Sequence, residues 1–272
     1  PSCNRFSILT ELSFLQIDAF ADRPFSGNPA VVYRPGDPLD AELMQRIARE
    51  MNVSETCFLV PSDEGFQLRW FTPTVEVDLC GHATLAAAHG LWTEWGHQGE
   101  NICFQTLSGT LTAVSANDLI WLDFPLEPVE ETPIPNEVAA ALTVKPAYVG
   151  RNRLDYLAEL GSEAAVRSIS PDLAMLKKLP VRGLIVTARA HETKGADFVS
   201  RYFAPYFGID EDPVTGSAHC ALGPYWTERL GKQELLGYQA SDRGGWVRVN
   251  VRGDRVDIGG KAVTVAQGTL RV

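Results

Sequence analysis

The 272 residues carry 24 Lys and Arg against 34 Asp and Glu, a formal net charge of -10, and 45% are hydrophobic, so the chain can bury the core of one large or two medium domains. The acidic balance, with no basic run longer than Lys177-Lys178, excludes nucleic acid and anionic membranes as expected partners. No stretch approaches the ~18 uninterrupted apolar residues that a spanning helix needs.

Leu12 to Phe20 alternates as a strand does, and Glu11, Gln16 and Asp18 break the apolar run that a secretory leader requires. Whether residues 1–12 belong to the fold is left open by the sequence. A long turn through Gly27-Asn28-Pro29 leads to a strand over Ala30-Tyr33. The turn is either an ordinary one or a place where unusual backbone angles meet a ligand. Asp40 to Met51 has apolar residues at 3.6-residue spacing and predicts an amphipathic surface helix ending at Asn52. Glu55 then sits at the mouth of the strand Val53-Val60. Such a carboxylate is either an exposed strand end or an acid/base group tuned by partial burial.

Phe66-Phe71 predicts another strand, followed by a helix from Gly81 to about Trp95 that has almost no polar face and so must be buried. Asp78, Cys80 and His82 cluster at its start, spaced i, i+2, i+4, which is a weak pattern for a metal; none is expected. Three short strands over Ile102-Thr106, Gly109-Val114 and Leu119-Phe124 come next. The run Pro125-Pro135, with four prolines and three acids, reads as a linker, placing a boundary between domains at 1–126 and 127–272, with the last strand, about 262–272, a candidate to return to the first. The second part predicts a helix over Asn136-Leu142, strands near Ala147-Val149, Asp155-Leu160, Gly183-Thr187 and Asp197-Phe203, and a helix over Pro171-Lys178. A second buried helix opens at Gly216. Short strands over 233–240, 246–252, 255–258 and 262–266 follow. The cysteines Cys3, Cys57, Cys80, Cys103 and Cys220 are odd in number and hold no C-x-x-C pair, which argues against a disulfide framework and fits a reducing cytoplasm.

One motif is said twice. Arg69-Trp70-Phe71-Thr72-Pro73 followed by Cys80-Gly81-His82-Ala83 parallels Arg201-Tyr202-Phe203-Ala204-Pro205 followed by Gly216-Ser217-Ala218-His219. Each copy is an aromatic strand ending in proline, an acidic loop and a glycine-opened apolar helix. Two such halves imply an α+β protein of two pseudo-symmetric domains in which two helix starts face one cleft. Free backbone N–H groups there would bind an anion.

These motifs, Asn52-Val53-Ser54-Glu55-Thr56, Leu79-Cys80-Gly81-His82-Ala83-Thr84 and Glu211-Asp212-Pro213-Val214-Thr215-Gly216-Ser217-Ala218, with Asp18-Ala19-Phe20 and Gly27-Asn28-Pro29-Ala30, resemble the phenazine-biosynthesis-like (PhzF-like) isomerases, similar in fold to diaminopimelate epimerase. The resemblance spans residues 12–272. It implies two domains, each a curved β-barrel around a central helix, and cofactor-free proton movement in a small carboxylic acid. It implies Glu55 as the acid/base, His82 and Asp212 as its assistants, and substrate contacts from Asn28, Cys80, Gly81, Ala83, Gly216 and Ser217. A homodimer is expected by the same resemblance. The related epimerases use two opposed cysteines. Cys80 is one candidate, but the second entrance reads Asp212 to Gly216 and Cys220 lies inside the helix, so a two-thiol mechanism is not expected. Cys80 acting with Asp212, and a non-catalytic binding protein of the same fold, stay open as alternatives.

Overall fold

The structure is a computed structural model and describes residues 11–272, so the N-terminal residues 1–10, Cys3 among them, lie outside it. Its 18 strands form one continuous sheet that curls twice. In the first curl the hydrogen-bonded order is Ala262–Arg271, Glu11–Ala19, Asn28–Tyr33, Glu55–Ser62, Gly65–Phe71, Asn101–Thr106, Gly109–Ala116 and Leu119–Pro125. In the second it is Glu130–Glu131, Tyr148–Arg151, Asp155–Glu159, Gly183–Arg189, Phe198–Ala204, Glu234–Gln239, Gly245–Arg252 and Arg255–Gly260. The strand directions agree step for step, with the same two parallel pairings in each series. The curls join where Phe124 faces Val256 on antiparallel strands. The last strand of the chain, Ala262–Arg271, returns to pair with Glu11–Ala19 in the first curl, while Glu130–Glu131 pairs with Tyr148–Arg151 within the second.

Each curl wraps one helix. Gly81–Thr93 is rich in Ala and Leu and is buried on nearly every side, because small side chains let the strands approach from all directions. At Gly90 a Cβ would lie 3.1 Å from both Leu15 and Trp95. The second helix, His219–Leu230, packs Cys220, Leu222, Tyr225 and Trp226 into the same apolar core as Ala83 to Leu91 of the first. Pro224 inside it has no N–H, which frees the Cys220 carbonyl; that carbonyl accepts from Glu127 N–H at 3.0 Å and so ties the crossing segment to the helix.

The two-barrel reading from sequence is what the chain adopts, with local corrections. The second helix begins at His219 rather than Gly216. Residues 216–218 form a tight turn whose carbonyls bond three residues on, His219 N to Gly216 O and Cys220 N to Ser217 O. The first ends at Thr93. The supposed linker contains the strand Glu130–Glu131, and the helix expected over 171–178 shrinks to Leu173–Leu176 behind an Asp172 cap. The helix Glu163–Ser168, capped by Ser162, is additional. Asp40 caps the surface helix Ala41–Met51, and Asn52 ends it in the left-handed region at φ 49°.

Candidate active site

The two helix entrances meet. A Cβ added to Gly81 would lie 3.6 Å from the Cα of Gly216, and one added to Gly216 would lie 3.6 Å from the Cα of Gly81. Among the described residues, the backbone N–H groups of Gly81, His82, Gly216, Ser217 and Ala218 find no backbone acceptor, while that of Ala83 turns to the Cys80 sulfur, so two sets of donors and two positive helix ends address the same space. Ser217 is half-exposed, Ala83 fully buried.

Acid/base groups crowd beside these glycines. Glu55, the first residue of its strand, is 9% exposed and sets Oε2 3.0 Å from His82 Nε2, within ion-pair reach although off the hydrogen-bond axis. Fully buried Asn28 spans the two halves: its Nδ2 lies 2.8 Å from Asp212 Oδ1, 2.9 Å from the Val214 carbonyl and 3.2 Å from His82 Nδ1. Cys80 Sγ stands 3.5 Å from His82 Nδ1.

These neighbours set the charges. Burial disfavours a charge on His82, while the Glu55 carboxylate beside it, and the Cys80 sulfur where that is ionised, favour it, and the balance raises the imidazole above its ordinary value of 6.5. Burial raises Asp212 above the usual carboxylate range, as does Glu55, against the opposing pull of His82, Thr215 and Asn28. Burial also raises the Cys80 thiol, which keeps it protonated near neutral pH. Donor atoms of Glu55, Cys80 and His82 come within 4.8 Å of one another. We read this mixed trio as acid/base groups, because His82 Nε2 faces Glu55 Oε2 at ion-pair distance.

The loop carrying Asn28 is held from the second half. Arg243 donates from Nε to the Gly27 carbonyl at 2.8 Å and from Nη2 to Asp18 Oδ1 at 2.8 Å and the Ser26 carbonyl at 3.0 Å, while Phe25 N–H donates to Asp18 Oδ2 at 2.9 Å. Behind Asp212, Gln239 and Thr215 form a further buried set of hydrogen bonds. Sequence reading missed Thr215, Gln239 and Arg243. Gln239 carried a signal: it follows Leu235 and Gly237 in the inward phase of its strand, a polar group where a core residue belongs. Asp78, grouped with Cys80 and His82 by spacing, is exposed, while Cys80 and His82 are buried. Glu211 is engaged by Arg201 in a two-pronged ion pair at 2.7 Å, outside the cluster.

The site exists once. In the repeat, the register Ala30 opposite Glu55 and Thr56 opposite Phe71 becomes Asp155 opposite Gly183 and Leu184 opposite Phe203, so Gly183 occupies the place of Glu55. A side chain there would collide with the Tyr202 ring, whose hydroxyl donates to Asp155 at 2.8 Å.

The family model of phenazine biosynthesis-like proteins matches residues 17–268. The chain belongs to that family. Two relatives that are each 51% identical to this chain are named isomerases, and the chain is an enzyme of that class. It is 51% identical over 257 residues to an uncharacterized isomerase of Halalkalibacterium halodurans, covering 93% of this chain and 96% of the relative. It is 41% identical to a human phenazine biosynthesis-like domain-containing protein, covering 93% and 96%. A crystal structure of a PhzF-family protein from Enterococcus faecalis superposes with a TM-score of 0.93 at 42% identity, covering 97% of this chain and all of that one. A hydroxyproline epimerase from Agrobacterium vitis shares the fold at TM-score 0.62 and 11% identity, covering 96% and 93%. No helix among the described residues is long and apolar enough to cross a membrane, and Cys57, Cys80, Cys103 and Cys220 are free thiols.

Beside the site, His219 donates from Nδ1 to the Thr215 carbonyl at 2.8 Å, and burial lowers its pKa to about 4. Its neutral form is therefore the one folding selects: that contribution is complete above the unfolded value near 6.5 and is lost as pH falls from there through about 4. Denaturant unfolding of the wild type is expected to show a loss of roughly 2–3 kcal/mol over that interval, and His219→Gln to lack this component. Equal pH slopes for the two would contradict the assignment.

Proposed function

We propose that this chain is a cofactor-independent isomerase that shifts a proton within a small carboxylate-bearing metabolite held between its two halves. The observation that carries the reading is the meeting of Gly81 and Gly216 beside Glu55, His82 and Asp212. Proton abstraction next to a carboxylate builds enolate-like charge, and fixed N–H donors at two helix starts suit that charge. Glu55, with its side chain at the edge of the site, carries the proton; His82 and Asp212 orient the ligand and balance charge as the proton moves. Incubating the chain with candidate carboxylic acids in deuterated water tests this: a bound acid is expected to gain deuterium at carbon, as read by mass spectrometry. An acid that binds without any exchange would count against it and favour a non-catalytic binding role.

A thiol-based racemase is the weaker reading. Position 215, which precedes Gly216 as Cys80 precedes Gly81, is threonine, and its hydroxyl is committed to Asp212 at 2.5 Å. Cys80→Ala is accordingly expected to keep turnover within about tenfold, since a catalytic nucleophile or base would cost 10²–10⁴-fold or more. Loss on that larger scale would reinstate the thiol.

A further inference from the structure

Thr215 and Gln239 lie behind Asp212, and a chain of hydrogen bonds runs from the Gln239 amide through the Thr215 hydroxyl to the Asp212 carboxyl group. Thr215 N–H must donate, and its acceptor is Gln239 Oε1 at 2.8 Å, which fixes the orientation of the buried amide. Gln239 Nε2 then faces the Asp212 carbonyl at 2.8 Å and Thr215 Oγ1 at 3.2 Å, donating to both. The Thr215 hydroxyl, having received one hydrogen, gives its own to Asp212 Oδ2 at 2.5 Å. On the other side Asn28 donates to Asp212 Oδ1 at 2.8 Å. Each oxygen of this carboxyl group thus receives one hydrogen bond from the protein, an arrangement that suits the ionised form.

We propose that Thr215 is a positioning residue for Asp212: its hydroxyl, aimed by Gln239, holds the Asp212 carboxylate ionised and turned toward Asn28 and His82. Thr215 sits where Cys80 sits in the other half, directly before the facing glycine, so the two entrances place a thiol and a hydroxyl in mirrored positions with different tasks. The titratable groups that bear on Asp212 are His82 and Glu55 from the first half and Tyr202 from the strand beside it. All three are unchanged by substitution at 215, which isolates the hydroxyl. The inference rests on the proposed function only in taking Asp212 as part of the proton-handling site.

The test is a carboxyl-carbon NMR titration of the intact chain, with the Asp212 resonance assigned by its loss in Asp212→Asn. In Thr215→Val, which keeps the shape and removes the donor, the Asp212 midpoint is expected to rise by about one pH unit, and in Thr215→Ser to return to the wild-type value. A wild-type midpoint in Thr215→Val, or a Thr215→Ser midpoint as high as that of Thr215→Val, would overturn the proposal. Should Thr215→Val fail to fold, Thr215→Ala removes the same donor without adding bulk and is read in the same way. The titration needs no turnover, so its failure is separable from a failure of the isomerase reading, which would appear as missing deuterium exchange in the wild type.

Discussion

Glu55→Gln is expected to lower turnover by roughly 10²–10⁴-fold while leaving the melting temperature within a few degrees of the wild type. The amide is nearly isosteric with the carboxylate, so it keeps the packing of a side chain whose residue is 9% exposed and whose Oε2 lies 3.0 Å from His82 Nε2. What it cannot do is accept and return a proton. The effect should fall on kcat more than on KM, because the ligand's carboxylate is assigned to the helix entrances and not to Glu55. Turnover retained in this variant would remove Glu55 from the mechanism. The second half offers no substitute, since Gly183 stands at the corresponding register position.

Gly27→Ala is expected to cost about 4 kcal/mol or to abolish accumulation of folded protein. The backbone at Gly27 is left-handed, φ +66°, which an alanine adopts only with strain. Its Cβ would also overlap the Ala19 carbonyl oxygen and lie 2.9 Å from the Ala21 Cβ, and a backbone oxygen inside a strand cannot move aside. The position is further constrained by Gly27 N–H donating to Gly244 O at 2.6 Å and by Arg243 on its carbonyl. Denaturant unfolding measures the loss; a value near that of an exposed-loop substitution would show that the loop relaxes. Because Asn28 is the next residue, a folded Gly27→Ala should also lose ligand binding.

Much of this architecture could be read from local pattern. The aromatic strands ending in Pro73 and Pro205 and the apolar helices after Gly81 and Gly216 are strong periodic signals, and they proved to be the two central units of a duplicated fold. The strands Glu76–Val77, Glu130–Glu131 and Ile209–Asp212 were illegible because two to four residues carry no period. They are strands only because a partner edge lies beside them, as Glu131 opposite Gly150 illustrates. The start of the second helix was misread for a related reason: Gly216 to Ala218 look helical in composition, but the chain enters through a tight turn. At the site, Glu55, His82, Asn28 and Asp212 were nameable because they stand in motifs, and they do come together. Arg243 and Gln239 were not, since they lie 216 and 27 residues from the Gly27 and Asp212 backbone atoms they hold, distances along the chain that only the folded sheet closes.

The most direct measurement of the central claim, that two helix entrances grip one ligand, is an amide NMR titration of the labelled chain with acetate. A ligand held from both sides moves the N–H resonances of Gly81 and His82 together with those of Gly216, Ser217 and Ala218 along a single binding curve. Shifts confined to one entrance, or two unrelated curves, would contradict it.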